Sequence, residues 1–474
     1  MSGPGRAGDA DAAGPDDDLD RAWDEHLDLH GAPRALYAEL LDTLQGLDLE
    51  RLGAAVNAAL SAKGVSFGER PFVVDPVPRL LDAVEWEHLS TGLAQRARAL
   101  NAFLSDAYGA QRIVAAGLLS QATIEQAEGF EPDLSGRLPS YCAPAAIIGF
   151  DVVRDPAGEF LVLEDNMRTP SGFCYALAAR EALLAVLPGV GPDPRPVDPI
   201  TYELLDDALR CAAPPGATDP VIVVLTDGPG NVAHYEHATA ARRLHCPLLT
   251  PEALQVVDGR VSARLPDGAT TPVDVVYRRT NEDRVRDEDG RLTGVAELLL
   301  EPWLTGRLGI VNAFGNGLAD DKLVHAHVED FIRFYLGEEP VVRSVPTHTL
   351  AAPGDRAQTI ANLRERVVKP RFGSGGQGVV IGMQAQPAEL KRVARALTDE
   401  PERYISQRLV QLSRHPTVVE GRLQARHVDL RPFAFCGTDV ALAPGGLTRV
   451  ALQAGALVVN SSQNGGGKDT WVVD

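Results

Sequence analysis

The chain has 474 residues, 45% hydrophobic and 23% charged, the balance of a soluble globular protein whose length predicts two to four domains. There is no run of 18 or more apolar residues, so no membrane span is expected. The net charge of −20 argues against a surface built on nucleic-acid phosphate contacts.

Residues 1–30 carry nine acids against two arginines. They lack the apolar segment of a secretory signal, and 1–20 is expected to be a disordered acidic tail. Cys142, Cys174, Cys211, Cys246 and Cys436 are scattered and form no CxxC pair. That usage fits reduced thiols in a cytoplasmic protein. Cys174 follows a PSGF turn and could border a site, but a small buried hydrophobe is the simpler reading.

In chain order, residues 21–130 read as a helical N-terminal region. Within 78–109, Leu80, Leu81, Val84, Leu89, Leu93, Ala97 and Leu100 recur at helical spacing. AAIIGFDVV (145–153) and EFLVLED (159–165) flank the turn Arg154–Gly158, a hairpin signal. Asp151 is expected to end one strand and Glu164 and Asn166 the other. Two carboxylates and an amide oxygen at one point suit a hard cation such as Mg²⁺. The alternative is an exposed acidic turn.

A Pro-rich linker (187–199) follows. DPVIVVLTDGPGN (219–231), a helical stretch (234–245), VDVVYRR (273–279) and LGIVNAFGNG (308–317) then alternate apolar strands with helices. That order predicts a parallel, doubly wound layer.

The chemistry-bearing residues of the last third begin with RVVKPRFGSGGQGVVIG (366–382). Lys369 ends a strand, and four glycines fall within 373–378 before another strand. Without a GK[ST] signature this is not a P-loop. A Gly-rich hairpin between two strands can cover phosphates with backbone N–H groups, with Lys369 as countercharge. A plain mobile hairpin is the alternative. Lys322, after two aspartates, reads alone as a surface residue; flanking one nucleotide together with Lys369 would make it functional. Gln407, in the strand YISQR, could face a purine edge. In RHVDLRPF (426–433), alternation sets His427, Asp429 and Arg431 on one face, toward solvent or a polar cleft. Arg449, Asn460 and Lys468 add polar groups that favour the cleft.

These blocks together resemble the circularly permuted type 2 ATP-grasp family, which includes glutathionylspermidine synthase-like carboxylate–amine ligases. The matching segments run from DPVPRLL (75–81) through VLEDNMRTPSG (162–172), ADDKLVHA (319–326) and the Gly-rich segment 367–382 to RHVDLRPF and GGLTRVAL (445–452). The metal hairpin lies ahead of the phosphate flap, the reverse of the usual ATP-grasp order.

The resemblance implies an α/β, circularly permuted ATP-grasp fold with a Rossmann-like pre-ATP-grasp domain. Beside the tail 1–20 and the helical region 21–130 read above, its implied parts are the permuted metal-binding part 131–190, the Rossmann-like domain 191–318 and the nucleotide-binding part 319–474. It implies ATP and Mg²⁺ as cofactors and small-molecule or peptide carboxylate and amine substrates, with neither nucleic acid nor membrane as partner.

The implied roles follow. Lys322 and Lys369 hold the α/β-phosphates; Ser374, Gly375, Gly376, Gln377 and Gly378 cover the β/γ-phosphates; Gln407 faces adenine. Asp151, Glu164 and Asn166 bind Mg²⁺. Arg431 and Arg449 stabilise transferring charge, and Arg168 with the Ser171–Gly172 turn orients the acceptor carboxylate. The competing reading is an ATP-binding subunit that acts only with a protein partner. One departure stands out: where the family has an acidic RRIDD-like segment, this chain has YRRTNEDRV (277–285), with Asn281 and Glu282 in place of the aspartate pair. Arg278 and Arg279 remain as carboxylate or phosphate binders.

Overall fold

A computed structural model describes residues 22–189, 191–265, 267–373, 377–453 and 465–474. The expected tail 1–20, loop residues Ser374, Gly375 and Gly376, and Asn460 lie outside the described residues.

Helices Ala35–Gln45 and Leu49–Ala62 come first, but the next long element departs from the helical expectation. Val74–Asp82 is a buried strand (β1), and the helix α1 begins only at Ala83 and runs to Ala107. Leu80 and Leu81 therefore belong to a sheet. Pro76 and Pro78 explain why: proline removes a backbone donor and biases the residue before it toward extended geometry. Asp82 then caps α1, its side chain accepting from the Glu85 N–H. The expected hairpin forms from β2 (Ile147–Arg154) and β3 (Phe160–Asn166), paired antiparallel. A bulge opposes Asp151 to Glu164 and Val152 to Val162, so Leu163 has no opposite residue. Asp151 thus lies within β2 rather than at its end. Helix α2 (Phe173–Val186) follows the Pro-Ser-Gly turn.

Four short strands then build a parallel sheet: β4 (Ile222–Thr226), β5 (Leu248–Leu249), β6 (Val275–Arg279) and β7 (Gly309–Val311). Their order is β7-β6-β4-β5, with helix α3 (His234–Arg243) between β4 and β5. β4 and β6 are buried at every position, which is why β4 reads as a continuous apolar, β-branched run.

After the one-turn helix α4 (Lys322–His325), β8 (Arg343–Ser344) pairs parallel with β3. A separate antiparallel sheet follows: β9 (Thr347–Thr349), β10 (Arg366–Pro370), β11 (Val380–Ile381) and β12 (Tyr404–Arg408), in the order β9-β12-β10-β11. The Gly-rich segment joins β10 to β11.

The chain then returns to the first sheet with β13 (Arg422–Arg431), β14 (Phe433–Cys436), β15 (Leu447–Val450) and β16 (Gly466–Val473). The spine of that sheet runs β8-β3-β2-β13-β15-β16-β1. Early β1 thus lies parallel beside late β16. One apolar core, including Phe103, Leu104, Phe150, Val152, Val223 and Val276, joins α1, the β2–β3 hairpin and the parallel sheet.

Candidate functional site

The hairpin places its acids beside the strands that follow hundreds of residues later. Asp151 and Glu164 face each other across the β2–β3 ladder, and the Asn166 amide donates to Asp151 Oδ1 at 3.3 Å. On β13, alternation sends Asp429 and Arg431 to the same face, and Asp429 pairs in register with Arg449 of β15. Arg431 grips Asp151 in a two-pronged contact, Nε to Oδ1 at 2.7 Å and Nη2 to Oδ2 at 3.0 Å. Arg449 donates from Nε to Asp429 Oδ1 and from Nη2 to Asp151 Oδ2, both at 2.8 Å. Burial raises the Asp151 pKa, but Arg431 and Arg449 more than offset it and hold the carboxyl well below the usual range.

The second half of the site is cationic. Lys322, first residue of α4, makes an ion pair with Glu164 at 3.0 Å and donates to the Gly373 carbonyl at 2.9 Å. It therefore touches both the hairpin and the start of the Gly-rich loop. Lys369 is buried at the end of β10. Burial lowers its pKa and Lys322 adds to that, while Glu164 and Asp151 pull it back up. Two lysines, three acids and two arginines from distant parts of the chain thus lie close together. Glu164 keeps 29% of its side chain exposed and Arg431 20%. Among the described residues, no group of three or more His, Cys, Asp or Glu side chains is arranged as a metal site. The expected donor set holds only two carboxylates, and each is paired here with a cation.

The remaining expected residues are placed as follows. Gln377 and Gly378 lie in an exposed turn; the φ of +72° at Gly378 suits glycine. Gln407 is buried in β12 rather than at an open edge. Its amide donates to Thr347 Oγ1 at 2.9 Å and to the carbonyl of the bulge residue Leu163 at 3.3 Å. It ties the small sheet to the hairpin, and its Oε1 is buried without a partner among the described residues.

Arg168 pairs with Asp320 at 2.8 Å and with Asp283 at 3.3 Å. Burial pushes the Asp320 carboxyl up to about 6 against the pull of Arg168. The Ser171–Gly172 turn is already committed. The Gly172 and Cys174 N–H groups donate to Glu236 Oε2, and Arg279 bonds Ser171 Oγ, the Pro170 carbonyl and Glu236 Oε1. Gly172 adopts φ +143°, and a Cβ there would meet the Phe433 ring at 2.9 Å, so the turn requires glycine. Arg278 is buried against the Asn312 and Ala313 carbonyls, and burial lowers it to about 10.

Lys468 does not join this cluster: it is fully buried, bonded to Asp75 and to the Pro416 carbonyl. Cys174 is the buried hydrophobe, and all five thiols are free.

Sequence reasoning missed three residues beside the site. Asp165, between the two expected ligands, receives both prongs of Arg96, at 2.6 and 2.7 Å, and contacts His325 Nδ1 at 2.7 Å. A signal for Arg96 was present: it interrupts the apolar stripe of α1, between Leu93 and Leu100. An arginine on a buried stripe needs an acid partner.

Among the described residues no helix is long and apolar enough to cross a membrane. A relative from Frankia alni, provisionally named glutamate–cysteine ligase 2-3, is 42% identical over 466 residues. The match covers 95% of this chain but only 54% of that protein, so the chain spans about half the length of this relative. Relatives of uncharacterised function from Synechocystis and Mycobacterium tuberculosis are 40% and 39% identical; each match covers 95% of this chain, and 97% and 84% of theirs. Among solved structures, a glutathione synthetase-like effector from Globodera pallida shares the fold at a TM-score of 0.57 and 13% identity, covering 90% of this chain and 97% of its own. The family model of circularly permuted ATP-grasp type 2 proteins matches residues 78–451, and the chain belongs to that family.

Proposed function

We propose that the chain is an ATP-dependent ligase that joins a carboxylate to an amine through an acyl phosphate. The observation that carries this reading is Lys322, which touches Glu164 of the hairpin and the Gly373 carbonyl of the loop while Lys369 lies buried nearby. Membership of the ATP-grasp family and the provisional ligase name of the Frankia relative support the same class.

In this reading Lys322 and Lys369 hold the nucleotide phosphates, and the Gly-rich segment 373–378 covers them. Asp151, Glu164 and Asn166 offer the hard oxygen donors that Mg²⁺ prefers, and the cations now paired with them are groups that phosphate oxygens attract. When bound, Mg²⁺ neutralises charge on the triphosphate. Arg431 and Arg449 then stabilise the transferring phosphoryl group and the acyl phosphate, and Arg168 orients the acceptor. A carboxylate oxygen of the donor substrate attacks the γ-phosphorus, the bond to the β-phosphate oxygen breaks and ADP leaves. The amine nitrogen attacks the acyl carbon, the C–N bond forms, phosphate departs and the amine proton passes to solvent. Positioning and charge neutralisation suffice; no covalent enzyme nucleophile is required.

The test is ADP and phosphate release from the purified chain across pools of amino acids, short peptides and polyamines, with hydroxylamine to trap an acyl phosphate. Release that depends on a carboxylate, with a hydroxamate product, is expected. A second reading, a subunit that binds ATP but acts only with a partner, draws on the Frankia relative, of which this chain covers 54%. Tight ATP binding with no turnover in any pool selects it.

A further inference from the structure

Helix α4 has four residues, Lys322–His325, too short to be stable alone. Both of its ends are held by buried contacts to acidic groups. Asp321 caps the N-terminus, accepting from Leu323 N–H, and pairs through Oδ2 with Arg371 Nε at 2.5 Å. At the other end His325 Nδ1 meets Asp165 Oδ2 at 2.7 Å. Asp165 is in turn locked by both prongs of Arg96, which also donates to Ser344 Oγ at 2.9 Å on β8. β8 pairs only with Leu161 and Val162, which leaves the edge of β3 beyond them to α4.

The geometry then couples two contacts. Lys322 and His325 lie three positions apart, one turn, while their partners Glu164 and Asp165 are consecutive on β3. Fixing His325 on Asp165 therefore fixes where Lys322 sits against Glu164 and the Gly373 carbonyl. Arg96 Nη2, 3.1 Å from the same Nδ1, can only donate, whereas Asp165 at 2.7 Å can only accept; the shorter contact places the His325 proton on Nδ1. Burial lowers the His325 pKa and keeps the ring neutral. Its Nε2 is buried with no hydrogen-bond partner among the described residues. The ring is thus tied in place through Nδ1 alone.

We infer that Arg96, Asp165 and His325 form a positioning relay that sets Lys322 for the nucleotide phosphates. None of the three is a catalytic residue; each acts through α4. The inference rests on the proposed ATP site. It adds that this site is assembled across the β3 edge by a contact on the side of the strand away from the Glu164 carboxylate.

The experiment is a double-mutant cycle read by calorimetry of Mg·ATP binding to the full chain, with a thermal melt of every variant. His325→Leu removes the tie without removing a charge and is expected to weaken ATP binding by about tenfold. His325→Asn returns an N–H donor near the Nδ1 position and is expected to recover most of that loss. In a Lys322→Met background, His325→Leu is expected to cost nothing further, because the residue it positions is gone. A purely structural histidine would give additive losses, and that result overturns the relay. ATP affinity unchanged in His325→Leu, with affinity lost in Lys322→Met, also overturns the relay but leaves the ATP site standing. Affinity unchanged in Lys322→Met overturns both. Should His325→Leu fail to fold, Arg96→Lys, which keeps the charge but loses the second prong, carries the same cycle with the same outcomes.

Discussion

Two regions of the molecule gather buried arginines and acids, and they differ in what is left open. Around the β2–β3 hairpin, Asp151, Asp429, Arg431 and Arg449 form a chain of ion pairs, and a separate pair, Glu164 with Lys322, lies opposite Asp151 on the ladder; there side chains still reach solvent. Beneath the Pro-Ser-Gly turn, Arg279 and Glu236 are sealed, with 2% and 1% of their side chains exposed, and the Gly172 and Cys174 N–H groups are spent on Glu236. The residue types are the same. Exposure separates a charge array still open to solvent from a clamp that joins the hairpin sheet to the parallel sheet.

The contrast can be broken by substitution. The largest effect is expected at the open end: Glu164→Ala should lower ADP release by at least about 100-fold while leaving the thermal midpoint close to the parent. Full turnover in that variant would remove Glu164 from the site. At the sealed end the loss should fall on stability. Glu236→Ala leaves the Arg279 guanidinium buried without its acid and should destabilise by about 3–5 kcal/mol in denaturant unfolding. A cost under about 1 kcal/mol would mean that the clamp is not one. Lys369→Ala should weaken Mg·ATP by about tenfold in calorimetry without a matching loss of stability. Unchanged affinity would count against the phosphate role.

The smallest effect concerns pH. Burial drives His237 down to about 2 and lowers His325, so both are neutral when folded. The unfolded chain takes up protons that these rings refuse, so their contribution is present above about 6.5 and is lost as pH falls. At pH 6 the loss should be under about 1 kcal/mol per histidine. Asp151 and Asp165, with folded pKa values depressed by their arginines, add a second loss below the usual carboxylate range. A melting temperature flat from pH 7 to 5 would contradict the first stage.

Much of the candidate site was legible in local patterns. The hairpin, the Gly-rich segment with Lys369, and the alternation of Asp429 and Arg431 all follow from spacing and strand period. Other features were not. Leu80 and Leu81 fit a helical stripe, yet the prolines before them and pairing with β16 make them strand. Gln407 had the chemistry of a base-edge contact but turned inward to the carbonyl freed by the bulge at Leu163. The partners of Asp165 lie 69 and 160 residues away, beyond any local signal.

By itself the sequence determined most of the strand and helix periods and the chemistry of each side chain, because periodicity and side-chain chemistry are local properties; the permuted order came from the resemblance to a known family. Only the tertiary structure decided which acid meets which base and which pairs stay open to solvent. Those outcomes depend on strand register, a one-residue bulge and the packing of distant elements, none of which has a local signature.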